Sequence, residues 1–443
     1  MSMGSHSNVS GIRGHGYYRS TSPEMDGKTQ GSTRKKTQDA HGASTSRSGS
    51  SEMSSLRALG NTRRPGESSV QPPRSRSALY RIGRLLTRHG DSRTSQPVAE
   101  ALEALHQIKA RFAVLLDGNW TPGEDEKIFD AAIIPTLIAA ESARKPGSPL
   151  SLLETSKDLG QWLRNSTSES GKRAVAVLPG YEDHAVAVDV RRIGRRLSVF
   201  IIDSLGTDPA RVAQYRRDVL PALKERLPSN AKATLLCLST QKAQTGCKIF
   251  ALSATSKAAD QQALMDDLHH RHVHGDVFED WSGNEIPVAA VGEGDIRMID
   301  GKPLLSAQFF KHSQSSGTLR QWAEANQPGS AWSAVNTRHE TISDRHSRHT
   351  SERHPWPFAI LDMDKRGLRG TVDPKAIEPR QLSTSLEQKR LVYIQRAIDF
   401  LQVAPKDESR QFMKRLERLH LKGADISTPN LKHQPWGPDP YTL

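Results

Sequence analysis

The sequence has little of the features that define several common protein classes. Its 443 residues include only two cysteines, too few for a disulfide-stabilised scaffold and typical of a reducing compartment. No apolar run approaches the ~18–20 residues of a membrane-spanning helix, and no signal-peptide pattern opens the chain. A P-loop and a dinucleotide-binding fingerprint are also missing. We therefore expect no transmembrane segment, no export by the general secretory route, and no nucleotide-binding site of the P-loop or dinucleotide-binding type.

Positive charge is concentrated in the first 95 residues. The formal net charge is +13, and residues 1–95 carry +10 of it, with 16 Lys and Arg against six Asp and Glu. This Ser-, Thr- and Gly-rich segment cannot bury enough apolar surface to order itself. We interpret it as a disordered secretion and targeting tail, or as a plain flexible extension. Because it lacks interleaved aromatic residues, we expect no nucleic-acid partner, and its start fits a lipidation motif poorly.

After this tail, apolar periodicity predicts an α+β fold. Helices are predicted over Val98–Leu116, over Ile128–Ala143 with an interruption at Pro135, and over Leu150–Leu163. Strands are predicted over Ala174–Leu178, from His184 to Val190, over Leu197–Ile202 and over Thr234–Leu238. Two amphipathic helices near the C terminus, Leu391–Leu401 and Asp407–Leu421, are expected to pack back on the N-terminal helices as a regulatory lobe.

Composition divides the chain into four predicted segments. They are the tail at 1–95, a catalytic core at 96–325, a flexible His- and Arg-rich insertion at 326–357, and a C-terminal helical regulatory segment at 358–443. Metal binding is not predicted for the cluster from His269 to His274, because Cys partners and regular ligand spacing are missing, and nothing in the sequence supports it for the histidines of the insertion. For that second cluster we expect a phosphate-binding surface, or an exposed basic loop.

A histidine, an aspartate and a cysteine stand where predicted elements begin or end. His184 opens one strand and Asp203 closes the next, so a hairpin of the two places these residues close together. Cys247 follows the loop 239–246 at the start of a helical pattern, where unpaired N–H groups and the helix dipole lower the pKa of a thiol. An imidazole beside this thiol, oriented by a carboxylate, activates a sulfur nucleophile. We therefore predict covalent catalysis at Cys247, whereas Cys237 lies in an apolar run and is expected to be buried.

The order and spacing of these residues resemble the YopJ family of bacterial type III effectors, which is similar to the ubiquitin-like-protein protease clan. His184 and Asp203 are 19 residues apart, and Cys247 follows Asp203 by 44. Gln241 lies six residues before the cysteine, where such folds carry a glutamine that stabilises the oxyanion. The block Leu305–Ser315 (LSAQFFKHSQS) is also similar to a family block, and the resemblance spans roughly Val98 to Leu401. The chain departs from the family pattern around the nucleophile, where Gly246 precedes Cys247 and Lys248 follows it.

This resemblance implies a papain-like or ubiquitin-like-protease-like catalytic core and an acetyltransferase activity. The implied donor is acetyl-CoA, the acceptors are Ser, Thr or Lys residues of host signalling or immune proteins, and the implied activator is inositol hexakisphosphate. His184 would act as the base, Asp203 would orient it, and Gln241 with the backbone N–H of Cys247 would hold the oxyanion. The protein would be secreted by a type III system into the host cytoplasm or nucleus.

The implied phosphate ligands need basic residues, and five candidates follow. They are Lys242, Lys257, Arg271, Lys311 and Arg320. Lys311, within the Leu305–Ser315 block, also resembles the lysine that family members acetylate on themselves.

Two other functions remain open from the residues alone. A cysteine protease of ubiquitin-like modifiers shares the same residue order, although those proteases usually carry Trp after the catalytic histidine and this chain has Ala185. A non-catalytic adaptor that binds host proteins is the second alternative, and the complete triad argues against it.

Overall fold

The computed structural model describes residues 96–166, 171–243, 245–329, 335–336, 338–355, 380–419 and 421. The predicted tail at 1–95 lies outside these residues. The described helices are α1 (Gln96–Asp117), α2 (Glu124–Arg144), α3 (Ser156–Arg164), α4 (Pro209–Gln214), α5 (Leu220–Arg226), α6 (Cys247–Asp260), α7 (Gln262–His274), α8 (Ala307–Phe310), α9 (Ser316–Glu324), α10 (Ile342–His349), α11 (Ser385–Leu401) and α12 (Lys406–Arg418). A π-helical turn, Tyr215–Val219, joins α4 to α5.

The strands form one large and one small sheet. They are β1 (Trp120–Thr121), β2 (Leu150–Leu153), β3 (Lys172–Leu178), β4 (Tyr181–Ile193), β5 (Arg196–Asp203), β6 (Ala231–Cys237), β7 (Val288–Gly292), β8 (Ile296–Asp300), β9 (Thr350–Pro355) and β10 (Arg380–Ser383). The large sheet has the order β2-β3-β4-β5-β6-β8-β7, and the small one β1-β9-β10.

Strand direction in the large sheet determines which residues meet at its edge. β4 and β5 pair antiparallel, with Ala187 opposite Ile202, whereas β5 and β6 pair parallel, with Asp203 opposite Cys237. The start of β4 therefore lies at the same end of the sheet as the ends of β5 and β6. This end receives His184, Asp203 and the loop that leads from β6 to α6.

The central strands are buried on both faces because helices cover both sides of the sheet. Ala185, Val186, Ala187 and Val188 of β4 are each at most 4% exposed. Val186 and Val188 pack in a core with residues of α3 and α5, whereas Ala185 packs with residues of α2 and α6. A strand buried on both faces carries a near-continuous apolar run, as this one does.

The predicted lobe of N- and C-terminal helices forms. α11 and α12 pack on α1 and α2, and their shared core includes Ile108, Phe112, Ile394 and Phe412. These residues recur at helical spacing, which is why amphipathic periodicity predicted both pairs of helices. The fold is thus mixed α/β with a helical lobe against the sheet layer.

Two predicted helices differ from the structure. α2 runs from Glu124 to Arg144 with Pro135 inside it rather than breaking there; its apolar face is buried against α11, and this packing outweighs the hydrogen bond that proline removes. The predicted helix Leu150–Leu163 is instead strand β2 followed by α3. Four residues of β2 pair in parallel with β3, and the carboxylate of Asp158 accepts from the Thr155 N–H at 2.8 Å at the start of α3.

The segment 326–357 also differs from the expectation of a flexible insertion. Its described part includes α10 and β9, and β9 lies between β1 and β10 in the small sheet. His346 and His349 are buried, at 8% and 5% exposure. A composition of His and Arg suggested solvent exposure, but long-range strand pairing orders these residues. Residues 330–334, 337 and 356–379 lie outside the described part.

Within the ranges that the structure describes, no helix has the length and apolar character to cross a membrane. In the same residues, no cluster of three His, Cys, Asp or Glu side chains has the arrangement of a metal site.

Candidate active site

The β4–β5 hairpin brings His184 and Asp203 into contact. His184 Nε2 lies 2.7 Å from Asp203 Oδ1, and both side chains are buried. The carboxylate is fixed from two further directions, since the backbone N–H of Leu205 donates to Oδ1 at 2.8 Å and the Tyr215 hydroxyl donates to Oδ2. Tyr181 stacks on the imidazole with ring centroids 5.2 Å apart. The imidazole is therefore held in one orientation, with Nδ1 as the remaining ring nitrogen.

Cys247 is the first residue of α6, as predicted, and it lies against the start of β4. Its sulfur is 3.8 Å from the carbonyl oxygen of Asp183, and it interacts with His184 and with the backbone N–H of Ala185. Gly246 is the N-cap residue of α6, with a left-handed φ of 100°. Only glycine adopts this conformation readily, so the residue that departs from the family pattern has a structural role.

The charges of Asp203, His184 and Cys247 favour a thiolate on the cysteine and an imidazolium on the histidine. Burial lowers the pKa of His184, but the charge and hydrogen bond of Asp203, with a contribution from Cys247, raise it to about 10. Burial raises the pKa of Cys247, and the interaction with His184 and the charge of Lys248 outweigh it, so the pKa is lowered overall. The pKa of Asp203 is also lowered, because His184 and the donors around the carboxylate outweigh burial. The arrangement can therefore supply a sulfur nucleophile and a proton carrier at neutral pH.

The loop before Cys247 is tied down by several side chains. Gln241 accepts from the Ser204 hydroxyl at 2.8 Å and donates from Nε2 to the carbonyl oxygens of Ala243 at 2.9 Å and Thr245 at 3.4 Å. The Thr245 hydroxyl donates to the carbonyl of Pro122 at 3.0 Å. Gln241 thus lies in the loop that precedes Cys247, with its amide nitrogen directed at loop carbonyls.

Two of the five predicted anion-binding residues come together in a larger basic cluster. Lys311 lies next to Lys257, and the charges of Lys389 and Arg345 reach it as well. Burial first, and then these like charges, lower the pKa of Lys311 to about 6. Burial and the charge of Arg396 lower the pKa of Lys389 to about 7. A partly buried group of like charges of this kind is suited to a polyanion.

The other three predicted anion-binding residues lie apart from this pair. The side chain of Lys242 is exposed in the loop that precedes Cys247. Arg271 stacks over Phe278 at 5.6 Å. Arg320 is 78% exposed on α9 with Glu324 at 3.9 Å.

Two of the four histidines around Arg271 are buried, so the predicted basic surface or loop forms only in part: His270 and His274 are exposed, but they lie on α7 rather than in a loop. His269 is fully buried, with Nε2 2.8 Å from Asp189 Oδ1 and Nδ1 2.7 Å from Ser198 Oγ. His272 is also buried, between the hydroxyls of Ser198 and Thr234. Burial lowers the pKa of both imidazoles. They belong to a helix that packs on β5, and they are neutral core residues.

Sequence patterns missed several residues that shape the site. Tyr215 lies in a helical segment, and nothing in the local sequence directs its hydroxyl to Asp203. Lys389 belongs to an amphipathic helix of common composition, and Arg345 to the segment expected to be flexible. Only the packing of distant elements brings Tyr215 to Asp203, and Lys389 and Arg345 to the basic cluster around Lys311.

Comparison with known proteins places the chain among acetyltransferases. The sequence profile of the YopJ serine/threonine acetyltransferase family matches residues 98–396. The chain is 20% identical over 238 residues to the serine/threonine-protein acetyltransferase YopJ of Yersinia pestis, which covers 53% of this chain and 77% of that protein. It is 26% identical over 224 residues to a serine/threonine-protein acetyltransferase of Sinorhizobium fredii, with coverages of 48% and 84%.

Solved structures share the fold. HopZ1a in complex with IP6 and CoA has a TM-score of 0.52 and 19% identity, covering 69% of this chain and 99% of that one. AvrA delL154 with IP6 and CoA has a TM-score of 0.51 and 20% identity, covering 67% and 98%.

Proposed function

The chain belongs to the YopJ serine/threonine acetyltransferase family, and from this we propose that it transfers acetyl from acetyl-CoA, through a thioester on Cys247, to Ser, Thr or Lys side chains of host signalling or immune proteins. The observation that carries the proposal is the contact of the Cys247 sulfur with a His184 imidazole that Asp203 holds at 2.7 Å. We also propose that the catalytic core has a papain-like or ubiquitin-like-protease-like fold.

In the first half-reaction, the Cys247 thiolate attacks the carbonyl carbon of the acetyl group. The bond between that carbon and the sulfur of CoA breaks, and the leaving sulfur takes the proton that His184 carries. Asp203 keeps its charge and stabilises the imidazolium. The products are acetyl-Cys247, free CoA and a neutral imidazole.

In the second half-reaction, the neutral His184 accepts the proton of the acceptor hydroxyl or amine as that group attacks acetyl-Cys247. The carbon–sulfur bond breaks and returns the Cys247 thiolate beside the imidazolium. The site thus ends as it began, with the acetyl group on the acceptor.

The oxyanion of each tetrahedral intermediate needs donors near the sulfur. The first N–H groups of an α-helix have no partner within the helix, which supports the backbone N–H of Cys247 as one donor. The predicted role of Gln241 requires its side-chain N–H to break a hydrogen bond to a loop carbonyl and to donate to the oxyanion instead. One such donor contributes about 3–4 kcal/mol to the transition state.

We further propose that inositol hexakisphosphate binds the cluster of Lys257, Lys311, Lys389 and Arg345 and activates the enzyme. The depressed pKa values of Lys311 and Lys389 support this: burial lowers both, neighbouring positive charges lower them further, and a polyanion would compensate those charges. The cluster joins α6 to α11, so a ligand there would hold the helical lobe against the catalytic helix. Lys242, exposed beside the nucleophile, is the predicted contact for the phosphates of CoA, whereas the positions of Arg271 and Arg320 do not support a role for them.

Membership of the family also supports a proposal about where the protein acts. We propose that the protein is a virulence effector secreted by a type III system, acting in the host cytoplasm or nucleus. Its host target is a protein with an exposed acceptor residue.

The deciding experiment incubates the full chain with radiolabelled acetyl-CoA and a host lysate, with and without inositol hexakisphosphate. We expect label on protein in wild type, increased by the polyphosphate and abolished in Cys247→Ala. Cys237→Ala is the matched control, because Cys237 is the other free cysteine and is fully buried in β6, and it should retain labelling.

Other results would favour the alternatives. Cleavage of a ubiquitin-like substrate without protein label would indicate a protease. Binding to host proteins that Cys247→Ala leaves intact, with neither activity, would indicate an adaptor. Label that survives Cys247→Ala would contradict the thioester.

A further inference from the structure

A partly open cavity of about 200 Å³ lies next to the nucleophile. Val175 and Val177 of β3 and Ala185 of β4 line it on the sheet side, and α12 covers it from the other. Most of the lining side chains are apolar. The transferred acetyl group does not by itself account for this cavity, because a two-carbon acyl group needs far less space.

Two lining residues connect the cavity to the reacting sulfur. The backbone N–H of Ala185 interacts with the sulfur of Cys247. Lys248 follows Cys247 in α6 and also lines the cavity. A molecule bound in the cavity is therefore in contact with residues that touch or adjoin the nucleophile.

The rim of the cavity carries excess positive charge. The charged lining residues are three cations, Lys248, Arg415 and Arg418, and one carboxylate, Glu154. Glu154 pairs with Arg415 at 3.0 Å. Across the described residues, Lys248 and Arg418 have no carboxylate within ion-pair distance, so two cations of the rim remain uncompensated.

We propose that this cavity binds the acceptor protein, taking an apolar side chain close in sequence to the acceptor residue while an acidic side chain of the same segment pairs with the rim. The inference rests on the proposed acetyl transfer and adds the class of its acceptor. The apolar side chain gains from burial against Val175 and Val177, in proportion to the apolar area removed from water. The carboxylate gains a charge-assisted hydrogen bond to Arg418 or Lys248.

The test uses the full chain with inositol hexakisphosphate, acetyl-CoA and synthetic peptides that carry one central Ser or Lys. A Leu and a Glu are moved through the four positions on each side of the acceptor, against Ala and Lys at the same positions. We expect kcat/KM to be about tenfold higher for a peptide with Leu and Glu at one particular spacing. Acetyl-Cys247 is measured separately by intact mass, so loss of the thioester is distinguished from loss of peptide preference.

Two variants test whether the peptide preference depends on the cavity and on its rim. Val177→Phe fills the cavity and should remove the preference for Leu. Arg418→Glu should remove or reverse the preference for Glu without altering the core, because Arg418 is exposed. Arg410→Glu is the matched control on the same helix, exposed and away from the cavity, and should keep both preferences.

Each remaining outcome decides against the proposal. Acetyl-Cys247 that forms with no peptide preference overturns it and leaves the proposed function standing. A preference that Arg418→Glu and Arg410→Glu reduce equally would reflect overall charge rather than this rim. If Val177→Phe changes the relative use of acetyl-CoA and octanoyl-CoA but not of the peptides, the cavity holds a donor acyl chain instead.

Discussion

Replacing Arg390 by Met tests a buried ion pair that joins two helices of the helical lobe, α11 and α2, close to the start of α6. Arg390 of α11 donates to both carboxylate oxygens of Asp130 in α2, at 2.9 and 3.0 Å, and its guanidinium lies 4.5 Å from the centre of the Phe112 ring. The two charged side chains are 1% and 3% exposed, so water screens neither. Removal of one partner leaves a buried charge uncompensated, and we expect a loss of about 3–5 kcal/mol in the free energy of unfolding.

The same arginine lies beside Gly246, the residue that precedes α6. A Cβ atom on Gly246 would be 3.4 Å from Arg390 Nη2, so the guanidinium occupies the space next to this left-handed residue. Loss of Arg390 should therefore disturb the start of α6. We expect iodoacetamide to alkylate Cys247 about tenfold more slowly, because small misplacements at a reacting group carry large kinetic costs.

The assay is urea unfolding of wild type, Arg390→Met, Asp130→Leu and the double variant, with alkylation followed by mass spectrometry. The double variant should recover most of the loss, because an apolar pair of similar volume replaces a buried ion pair at little cost. Arg396→Met is the control on the same helix: Arg396 is 32% exposed, and its partner Glu141 keeps Arg144 at 2.7 Å, so we expect a loss below about 1 kcal/mol. The reasoning is refuted if Arg390→Met costs no more than this control, or if the double variant loses the sum of the two single losses.

Three further predictions address the nucleophile, the basic cluster and the buried histidines. Gly246→Ala imposes a φ of 100° on a residue with a side chain and places its Cβ 3.0 Å from a leucine methyl group; we expect a loss of about 1–3 kcal/mol. Gly194→Ala, at φ 58° with open space around it, should lose less, and equal losses in urea unfolding would contradict the packing argument. Lys311→Gln should reduce the rise in melting temperature produced by inositol hexakisphosphate, which corresponds to about 2.7 kcal/mol at a hundredfold excess over Kd, whereas Arg320→Gln should preserve it; equal responses would place the ligand elsewhere. The pKa of His272 is lowered to about 3 from 6.5, so the unfolded chain takes up this proton first, and stability should fall as pH drops from 6.5 towards 3 by about 1.4 kcal/mol per pH unit. Urea unfolding at pH 7 and pH 5 should show a flatter dependence in His272→Gln, and identical slopes would show that this imidazole is not responsible.

Local patterns were sufficient for much of the fold around the site. The alternation of residues from His184 to Val190 predicted a strand, and the adjoining run that ends at Asp203 predicted its hairpin partner. Both strands form, and the hairpin brings the side chains of His184 and Asp203 into contact. The polar loop followed by a helical pattern also located Cys247 at a helix start. These features depend on neighbours in sequence, so a single sequence contains their signal.

Other segments were misread because distant contacts determine them. Leu150–Leu153 has no strand signature of its own, yet it pairs in parallel with β3. The His- and Arg-rich residues of β9 are polar in composition, but they lie between two strands that are far away in sequence. His269 and His272 have the composition of a basic surface, and the packing of α7 on β5 buries them with hydroxyl and carboxylate partners.

By itself, the sequence determined the order and spacing of the reactive residues, the amphipathic helices and the concentration of positive charge in the first 95 residues. Only the tertiary structure decided that Tyr215 fixes Asp203, that Lys311 and Lys389 share one basic cluster, and that Arg390 packs beside Gly246. The physical reason is that chain-local preferences come from periodicity and backbone conformation, which neighbouring residues encode. Desolvated charge pairs and clusters depend instead on which distant surfaces are buried together, and that is settled only when the whole chain packs.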